Sequence, residues 1–361
     1  MTVDADDLLA GPRGRRLCLE YALGCAQRTE AEVVRDALNT VWWAAGAYET
    51  SATTILFRRE DDSGGHTPST ASPADAAAAR DSIPLVSPTA ATLRDALAQS
   101  VQAAMYWQPP DGRDRLCATD EMSASLRRVA RVVAPSRDAT WWTSGLTEDD
   151  QWTVPWEGDG RLSPVLAAEL RQWRERTLAD EARAAVDRPD DPAAPWSGMW
   201  WSIPPSGLVR TTRSLAGDGP AGLWFVEDSV GGDEASAIPV DAHPARVIEI
   251  EGPEDWARLC RRHPLEVTAS RRHDWFRVTG RDGRWVIPDW ESVAAETDAV
   301  HLTVAGYLST ATRLVDVDGD RSSVLAGWNP DEAFWFRGVS ARPSGEQRWR
   351  RDPDVWRRVG D

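Results

Sequence analysis

The chain has 361 residues, of which 42% are hydrophobic and 27% charged, as in a globular protein long enough for two domains. Its net charge of −16 argues against general affinity for an extended nucleic acid or an anionic membrane. All 41 basic residues are arginines, and the absence of lysine excludes a Schiff-base enzyme and a Walker-type phosphate loop.

The sequence indicates a cytoplasmic protein without a membrane span. No stretch of about 18 apolar residues occurs, and the acidic start of the chain is unlike a secretory signal. The cysteines show no CxxC pair and no zinc spacing, so we expect reduced, mostly buried thiols and no metal site. They are Cys18, Cys25, Cys117 and Cys260.

Residues 1–190 predict a mainly α-helical domain, which resembles no named family. Within it, residues 61–83 are rich in small and polar side chains and predict a surface loop, and residues 188–195 predict a linker. Ser87, followed by a proline, is expected to cap a helix. Apolar stripes predict the helices, over 4–28, 29–50, 87–108, 113–134 and 163–187.

Residues 196–340 predict an α+β domain, so the fold class of the whole chain is α+β. Helices are expected over 252–263 and 289–296. Residues 341–361 form an Arg-rich tail, which we expect to pack on the body through Trp349 and Trp356. β-Branched and aromatic runs predict strands at 199–203, 208–215, 223–229, 246–250, 265–270, 274–280, 284–288, 300–310, 313–317, 322–327 and 333–339.

A strongly basic segment covers residues 258–284, where eight arginines face three acidic residues. Arginine forks match phosphate oxygens, so this segment is a candidate site for a nucleotide phosphate. Its densest part contains Arg271, Arg272, His273 and Trp275, with His273 as a candidate ligand-orienting or acid–base group. The alternative is that the arginines form solvated faces and ion pairs with the acidic first region.

A second set of candidate residues is spread over the C-terminal half of the chain. Arg210 and Arg213 occur in the early run LVRTTR, the run YLST (307–310) ends a predicted strand, and Glu332 precedes the strand AFWF. This order resembles the arginine, aromatic-x-Ser-Thr-Ser and glutamate motifs of mono-ADP-ribosyltransferases. The resemblance implies an NAD-using enzyme in which Arg213 or Arg210 holds the NAD phosphates. Alternation along the strand favours Arg213, which shares a face with apolar neighbours.

The same resemblance implies roles for the other residues. Ser309 and Thr310 would build the nicotinamide pocket, and Glu332 would stabilise the ribosyl cation as nicotinamide leaves, so Ser309 and Glu332 are the catalytic candidates. A fixed carboxylate beside a developing positive charge is a large catalytic effect. The rings of Tyr307 and Trp275 are candidates for stacking on nicotinamide.

The leading hypothesis is therefore an ADP-ribosyltransferase-like enzyme with NAD as cofactor and its site in the C-terminal half. The alternative is a non-enzymatic protein whose twenty tryptophans partly line a site for a small ligand or a partner protein. Expected partners are a small molecule or nucleotide, and a protein that contacts the N-terminal helices. Neither an extended nucleic acid nor a membrane is expected.

Overall fold

The computed structural model describes residues 3–28, 32–49, 71–155, 166–229, 232–353 and 355–360. The expected α+β class is confirmed, because helices dominate the first 190 residues and short strands with short helices follow. The helices of the first region are α1 (Ala5–Ala10), α2 (Pro12–Gln27), α3 (Glu32–Gly46), α4 (Pro73–Ser82), α5 (Ala90–Gln102), α6 (Gly112–Cys117), α7 (Asp120–Val133) and α8 (Leu166–Asp187).

Polar side chains fix where several of these helices begin. Ser72 caps α4, and Thr119 caps α7 by accepting a backbone N–H group. The cap of α5 is Thr89, which forms a reciprocal capping box with Thr92. The prediction of Ser87 as cap is therefore wrong, because the two residues that follow Ser87 stay non-helical and the helix begins only at Ala90.

Two predictions in this region need correction. The helix predicted over 113–134 is divided into α6 and α7, because the Thr119 hydroxyl accepts the Met122 N–H and starts a new helix. The loop predicted over 61–83 contains α4, whose alanine-rich sequence favours a helix. Residues 61–70 of that predicted loop lie outside the described residues.

Strands and further helices alternate in the rest of the chain. The strands are β1 (Gln151–Thr153), β2 (Val209–Thr211), β3 (Ser214–Leu215), β4 (Gly219–Pro220), β5 (Glu234–Ala242), β6 (Val247–Ile250), β7 (Pro264–Glu266), β8 (Arg284–Pro288), β9 (Ala299–Leu302), β10 (Val315–Asp318), β11 (Arg321–Ser323), β12 (Ala333–Trp335), β13 (Val339–Ala341), β14 (Gln347–Arg351) and β15 (Trp356–Arg358). The helices are α9 (Pro253–Arg262), α10 (Thr268–Thr279), α11 (Trp290–Ala294) and α12 (Val304–Thr310).

One sheet carries the charged residues Arg210, Glu249 and His301. Its strand order is β2-β12-β9-β6, with β12 antiparallel to β2 and β9, and β6 parallel to β9. Phe334 of β12 lies opposite Arg210 of β2, and Glu249 of β6 lies opposite His301 of β9. The register therefore brings charged side chains from distant parts of the chain to the same sheet.

A second sheet contains a strand that the sequence did not predict. β5 pairs with β1, β13 and β14, although it is built from small residues and runs through Pro239. Its partners on both sides outweigh its low strand propensity. β14 and β15 extend this sheet, and the expected packing of the tail is observed, since Trp349 and Trp356 are both buried.

Several predicted strands are wrong in whole or part. Segments 199–203 and 223–229 form no strand. Segment 265–270 is a strand only as far as Glu266, because α10 begins at Thr268. Segment 274–280 belongs almost entirely to α10, which ends at Gly280 in a left-handed conformation. Within 300–310 the strand stops at Leu302, because the Thr303 side chain accepts the Gly306 N–H and starts α12. β-Branched residues alone therefore do not distinguish a strand from a capped helix here.

The two predicted regions share a hydrophobic core. One buried cluster contains Leu17 and Leu97 from the helical region together with Trp256 and Phe334 from the α+β region. Tryptophans form much of it: the ring of Trp256 lies 6.3 Å from that of Trp328, in an edge-on contact that adds to area burial. Many tryptophans are thus core residues.

Two predictions from composition concern the cysteines and a membrane-spanning helix. The four cysteines are free thiols and all are buried, as predicted. Within the described residues, no helix combines the length and the apolar character that crossing a bilayer requires.

Candidate functional site

The two arginines of the predicted NAD site have different partners. Arg213 donates from Nε to Oδ1 of Asp331 at 2.6 Å and from Nη2 to the carbonyl of Gly145 at 2.9 Å. Arg210 is the arginine beside Glu332, with 3.6 Å between Nη1 and Oε1. The alternation argument that favoured Arg213 fails, because β2 ends at Thr211 and strand parity no longer applies at position 213.

The YLST run lies on the short helix α12 and not on a strand. The Ser309 hydroxyl donates to the carbonyl of Ala305 at 2.9 Å, within its own helix. Thr310 is fully buried, and the Tyr307 hydroxyl faces the carboxyl of Glu227. Of the three, Tyr307 is the one that the structure connects with the polar groups around Glu332, through Glu227.

The cluster at 271–275 lies on one helix, α10. The Trp275 indole donates to the carbonyl of Trp200 at 2.9 Å and packs edge-on against Trp285, so it is a core residue. His273 is only 2% exposed, and burial, followed by the nearby arginines, lowers its pKa. Burial also lowers the pKa of Arg271, to about 10. These side chains face packed protein.

The arginines of the basic segment have acidic partners, as the second interpretation expected. Two of the acids, Asp180 and Asp190, belong to the first region. A phosphate at this segment would have to displace these carboxylates. The pairs are Arg258 with Asp255, Arg261 with Glu254, Arg262 with Glu296, Arg271 with Asp180, Arg272 with Asp190, Arg277 with Asp274, Arg281 with Asp316 and Arg284 with Glu266.

His301, a buried residue of β9, lies between two carboxylates. Nδ1 of His301 is 2.5 Å from Oε2 of Glu249, and its Nε2 is 3.5 Å from Oδ1 of Asp331. Burial opposes a charge on His301, but the hydrogen bonds with Asp331 and Glu249 outweigh it and raise the pKa to about 9. Asp331 also accepts from Arg213, so the group is a closed ionic network.

A second buried acid is Glu227. Its Oε1 accepts the Tyr106 hydroxyl at 2.8 Å, and its backbone N–H donates to the Asn329 side chain at 3.0 Å. Burial raises its pKa to about 8, although the hydrogen bond from Tyr106 acts in the opposite direction. Asn329 in turn donates to Glu332 at 3.3 Å, so this group connects with the Arg210 pair.

A concave feature lies elsewhere, between the helical region and the segment 223–229, which we call the strap. We call this cavity of about 650 Å³ the helix–strap cleft. Its walls come from α2, α3, α5, α6, the strap and the tail strands. Aromatic residues in the walls are Tyr21, Trp42, Trp224 and Trp356, and charged or amide residues are Glu20, Gln27, Arg28, Asn39, Asp95, Gln99, Gln102, Arg113 and Arg351.

The strap is held in place from its inner side. Trp224, Val226 and Ser229 line the cleft, whereas Glu227 points into the core and meets Tyr106 there. Arg94 covers one face of the Trp224 ring at 3.9 Å from its centre. The cleft wall therefore has a fixed backbone and a fixed indole ring, as a preformed site requires.

Charges in the cleft are paired within its walls. Arg28 lies 3.4 Å from Asp95, and Arg113 lies 3.0 Å from Glu20. Glu20 also accepts from Arg16 at 2.6 Å. A ligand in the cleft would therefore meet neutral pairs of donors and acceptors and no bare ionic centre.

Sequence reasoning missed the cleft entirely, and it missed Glu227 and Glu249. Glu227 had one signal, a carboxylate inside the apolar run LWFVEDS, but that run was interpreted as a strand. The cleft residues come from four helices, the strap and two tail strands, and no local pattern connects them.

Among the described residues, no group of three or more His, Cys, Asp or Glu side chains is arranged to hold a metal ion. Comparisons with protein-family models, curated proteins and solved structures give no match for this chain.

Proposed function

We propose that the protein binds a small polar molecule in the helix–strap cleft and that this binding, rather than catalysis, is its primary activity. The observation that supports this proposal is the cavity itself. Its volume of about 650 Å³ lies inside the range of about 300–1,000 Å³ typical of ligand sites.

The position of Trp42 supports this proposal. Its side chain lines the cleft but is 48% exposed, so a large apolar ring is left facing solvent at the edge of a cavity. Trp196 is 41% exposed, lies in another part of the chain and does not line the cleft. An exposed ring costs free energy that a ligand would recover by covering it. Trp42 and Trp196 therefore offer matched positions for an experiment.

A ligand-observed NMR screen of a fragment library against the full chain tests the proposal. We expect fragments to bind, and we expect Trp42→Ala to abolish or strongly reduce their binding while Trp196→Ala retains it. Near-ultraviolet circular dichroism of both variants checks that they are folded. An absence of fragment binding, or an equal loss in both variants, would contradict a site in the cleft.

Transfer of ADP-ribose from NAD is the second candidate. The observation that favours it is the Arg210–Glu332 pair, in which an arginine from an early strand lies beside the glutamate that precedes β12. Nicotinamide release from NAD, compared between the protein and its Glu332→Gln variant, is the measurement. Release that depends on Glu332 supports this candidate; no release, together with no thermal shift by NAD, removes it.

A further inference from the structure

The chemistry of the cleft walls defines the class of ligand. We infer that the helix–strap cleft binds a short, neutral oligosaccharide, an inference that rests on the proposed binding function. Three independent features of the walls support this: paired charges, a set of amide side chains, and indole rings contributed by different elements. Each one narrows the ligand class further than the cavity volume does.

Paired charges disfavour a phosphate or another strong anion. The Arg28 guanidinium already lies beside Asp95, and the Arg113 guanidinium beside Glu20. Arg351 also has an interaction with a neighbour. An anion would have to displace a carboxylate at each pair, whereas a hydroxyl group can accept from the arginine and donate to the carboxylate at once.

Amide side chains supply both hydrogen-bond donors and acceptors on several walls of the cleft. Gln27 comes from α2, Asn39 from α3, and Gln99 and Gln102 from α5. Gln99 and Gln102 are three positions apart and thus lie on one face of α5. Each amide offers a carbonyl acceptor and two N–H donors. A sugar ring, with hydroxyls around its whole rim, can use polar partners on all these sides, whereas a nucleobase has them only along its edges.

The tryptophans supply surfaces for the apolar face of a sugar ring. Trp42 belongs to α3 and Trp224 to the strap, so two separate elements present indole rings to the cleft, whereas the ring of Trp356 is buried in the packing of the tail. The C–H groups on one face of a pyranose carry partial positive charge and suit the negative face of an indole. Trp224 is also pre-oriented, since its Nε1 donates to the carbonyl of Asp218 at 2.8 Å. Pre-orientation lowers the entropy cost of binding.

The test uses an array of neutral oligosaccharides, followed by saturation-transfer NMR and calorimetry with maltose, cellobiose, lactose and chitobiose on the full chain. Adenosine and inorganic phosphate serve as ligands of other classes. We expect at least one neutral saccharide to bind more tightly than adenosine, and phosphate not to compete with it. Trp42→Ala should weaken binding at least tenfold, and Trp196→Ala less than twofold.

A second pair of variants protects the test against loss of folding. Gln102→Leu removes a polar partner from the cleft wall and should weaken saccharide binding severalfold. Gln172→Leu makes the same change on an exposed face of α8, outside the cleft, and should have no effect. Saccharide binding that is insensitive to both Trp42→Ala and Gln102→Leu overturns the inference.

The outcomes separate this inference from the binding function on which it rests. If fragments bind in a Trp42-dependent way but no neutral saccharide does, or adenosine binds better than every saccharide, the ligand class is wrong and the binding function stands. If neither fragments nor saccharides bind, both are wrong.

Discussion

Arg213 and Asp331 form a buried two-point contact: Nε of Arg213 donates to Oδ1 of Asp331 at 2.6 Å, and the backbone N–H of Arg213 donates to Oδ2 at 3.0 Å. Asp331 has a φ of +63°, a conformation that aspartate tolerates better than most residues. The same carboxylate lies beside His301. Asp331 thus joins the segment between β2 and β3, β9, and the turn before β12.

Removing this carboxylate should destabilise the fold. Asp331→Ala leaves Arg213 and His301 as buried cations without their shared partner, and we expect a loss of about 3–5 kcal/mol in the free energy of unfolding. Urea unfolding followed by circular dichroism gives this value. The control is Asp241→Ala, whose partner Arg342 is half exposed at 3.3 Å, and whose loss should be below about 1 kcal/mol. Equal losses would show that the buried network adds no net stability.

His301 should remain protonated at neutral pH. Its pKa is raised to about 9, so its ring resonances should titrate well above those of His263 and His273, whose pKa values burial lowers. NMR titration of the histidine ring protons measures this. Glu249→Gln removes the partner at 2.5 Å and should lower the pKa of His301. A titration of His301 near 6.5 would contradict the ionic network.

The raised pKa of His301 also has a consequence for stability. Relative to an unfolded value of about 6.5, the native state holds its proton more tightly, so the stabilisation is complete below that pH and is lost as the pH rises through about 9. Unfolding free energies measured between neutral and alkaline pH should therefore fall, and His301→Gln should remove part of that fall.

Local patterns in the sequence predict most helices of the first region but not the sites. The stripe of Leu93, Leu97 and Val101 repeats within one helix, so it predicts α5 without knowledge of any partner. Glu227 and Tyr106 meet across 121 positions, and nothing local to either residue signals the other. The prediction for Tyr307 failed for a different reason. The run YLST is a local pattern, but it lies on a capped helix and not on the expected strand.

Gly327 should be irreplaceable for two separate reasons. Its φ is +86°, and a Cβ there would lie 2.7 Å from Cδ1 of Trp201. Gly217 has a nearly equal φ of +84° with nothing near its Cβ position, so it isolates the backbone effect. We expect Gly217→Ala to cost about 1–2 kcal/mol, and Gly327→Ala to cost a further amount of about 1–3 kcal/mol for the clash. Thermal and urea unfolding compare the two; equal costs would mean that Trp201 moves freely.

Glu227 should make the stability of the protein depend on pH. Its folded pKa of about 8 exceeds the unfolded value of about 4.3, so between these values the native state binds a proton that the unfolded state releases. The free energy of unfolding should then fall by about 1.4 kcal/mol per pH unit across this window. Glu227→Gln imitates the protonated carboxyl and should remove this contribution.

Urea unfolding of the protein and the Glu227→Gln variant at each pH from 5 to 8 isolates that slope, because contributions from other groups cancel in the difference between the two. Tyr106→Phe gives a second, directional check: the Tyr106 hydrogen bond lowers the pKa of Glu227, so its removal should shift the pH-dependent transition to higher pH. If the protein and the Glu227→Gln variant show parallel curves, the carboxyl is not held protonated in the core. Since Glu227 anchors the strap, the same titration also reports how firmly the wall of the helix–strap cleft is fixed.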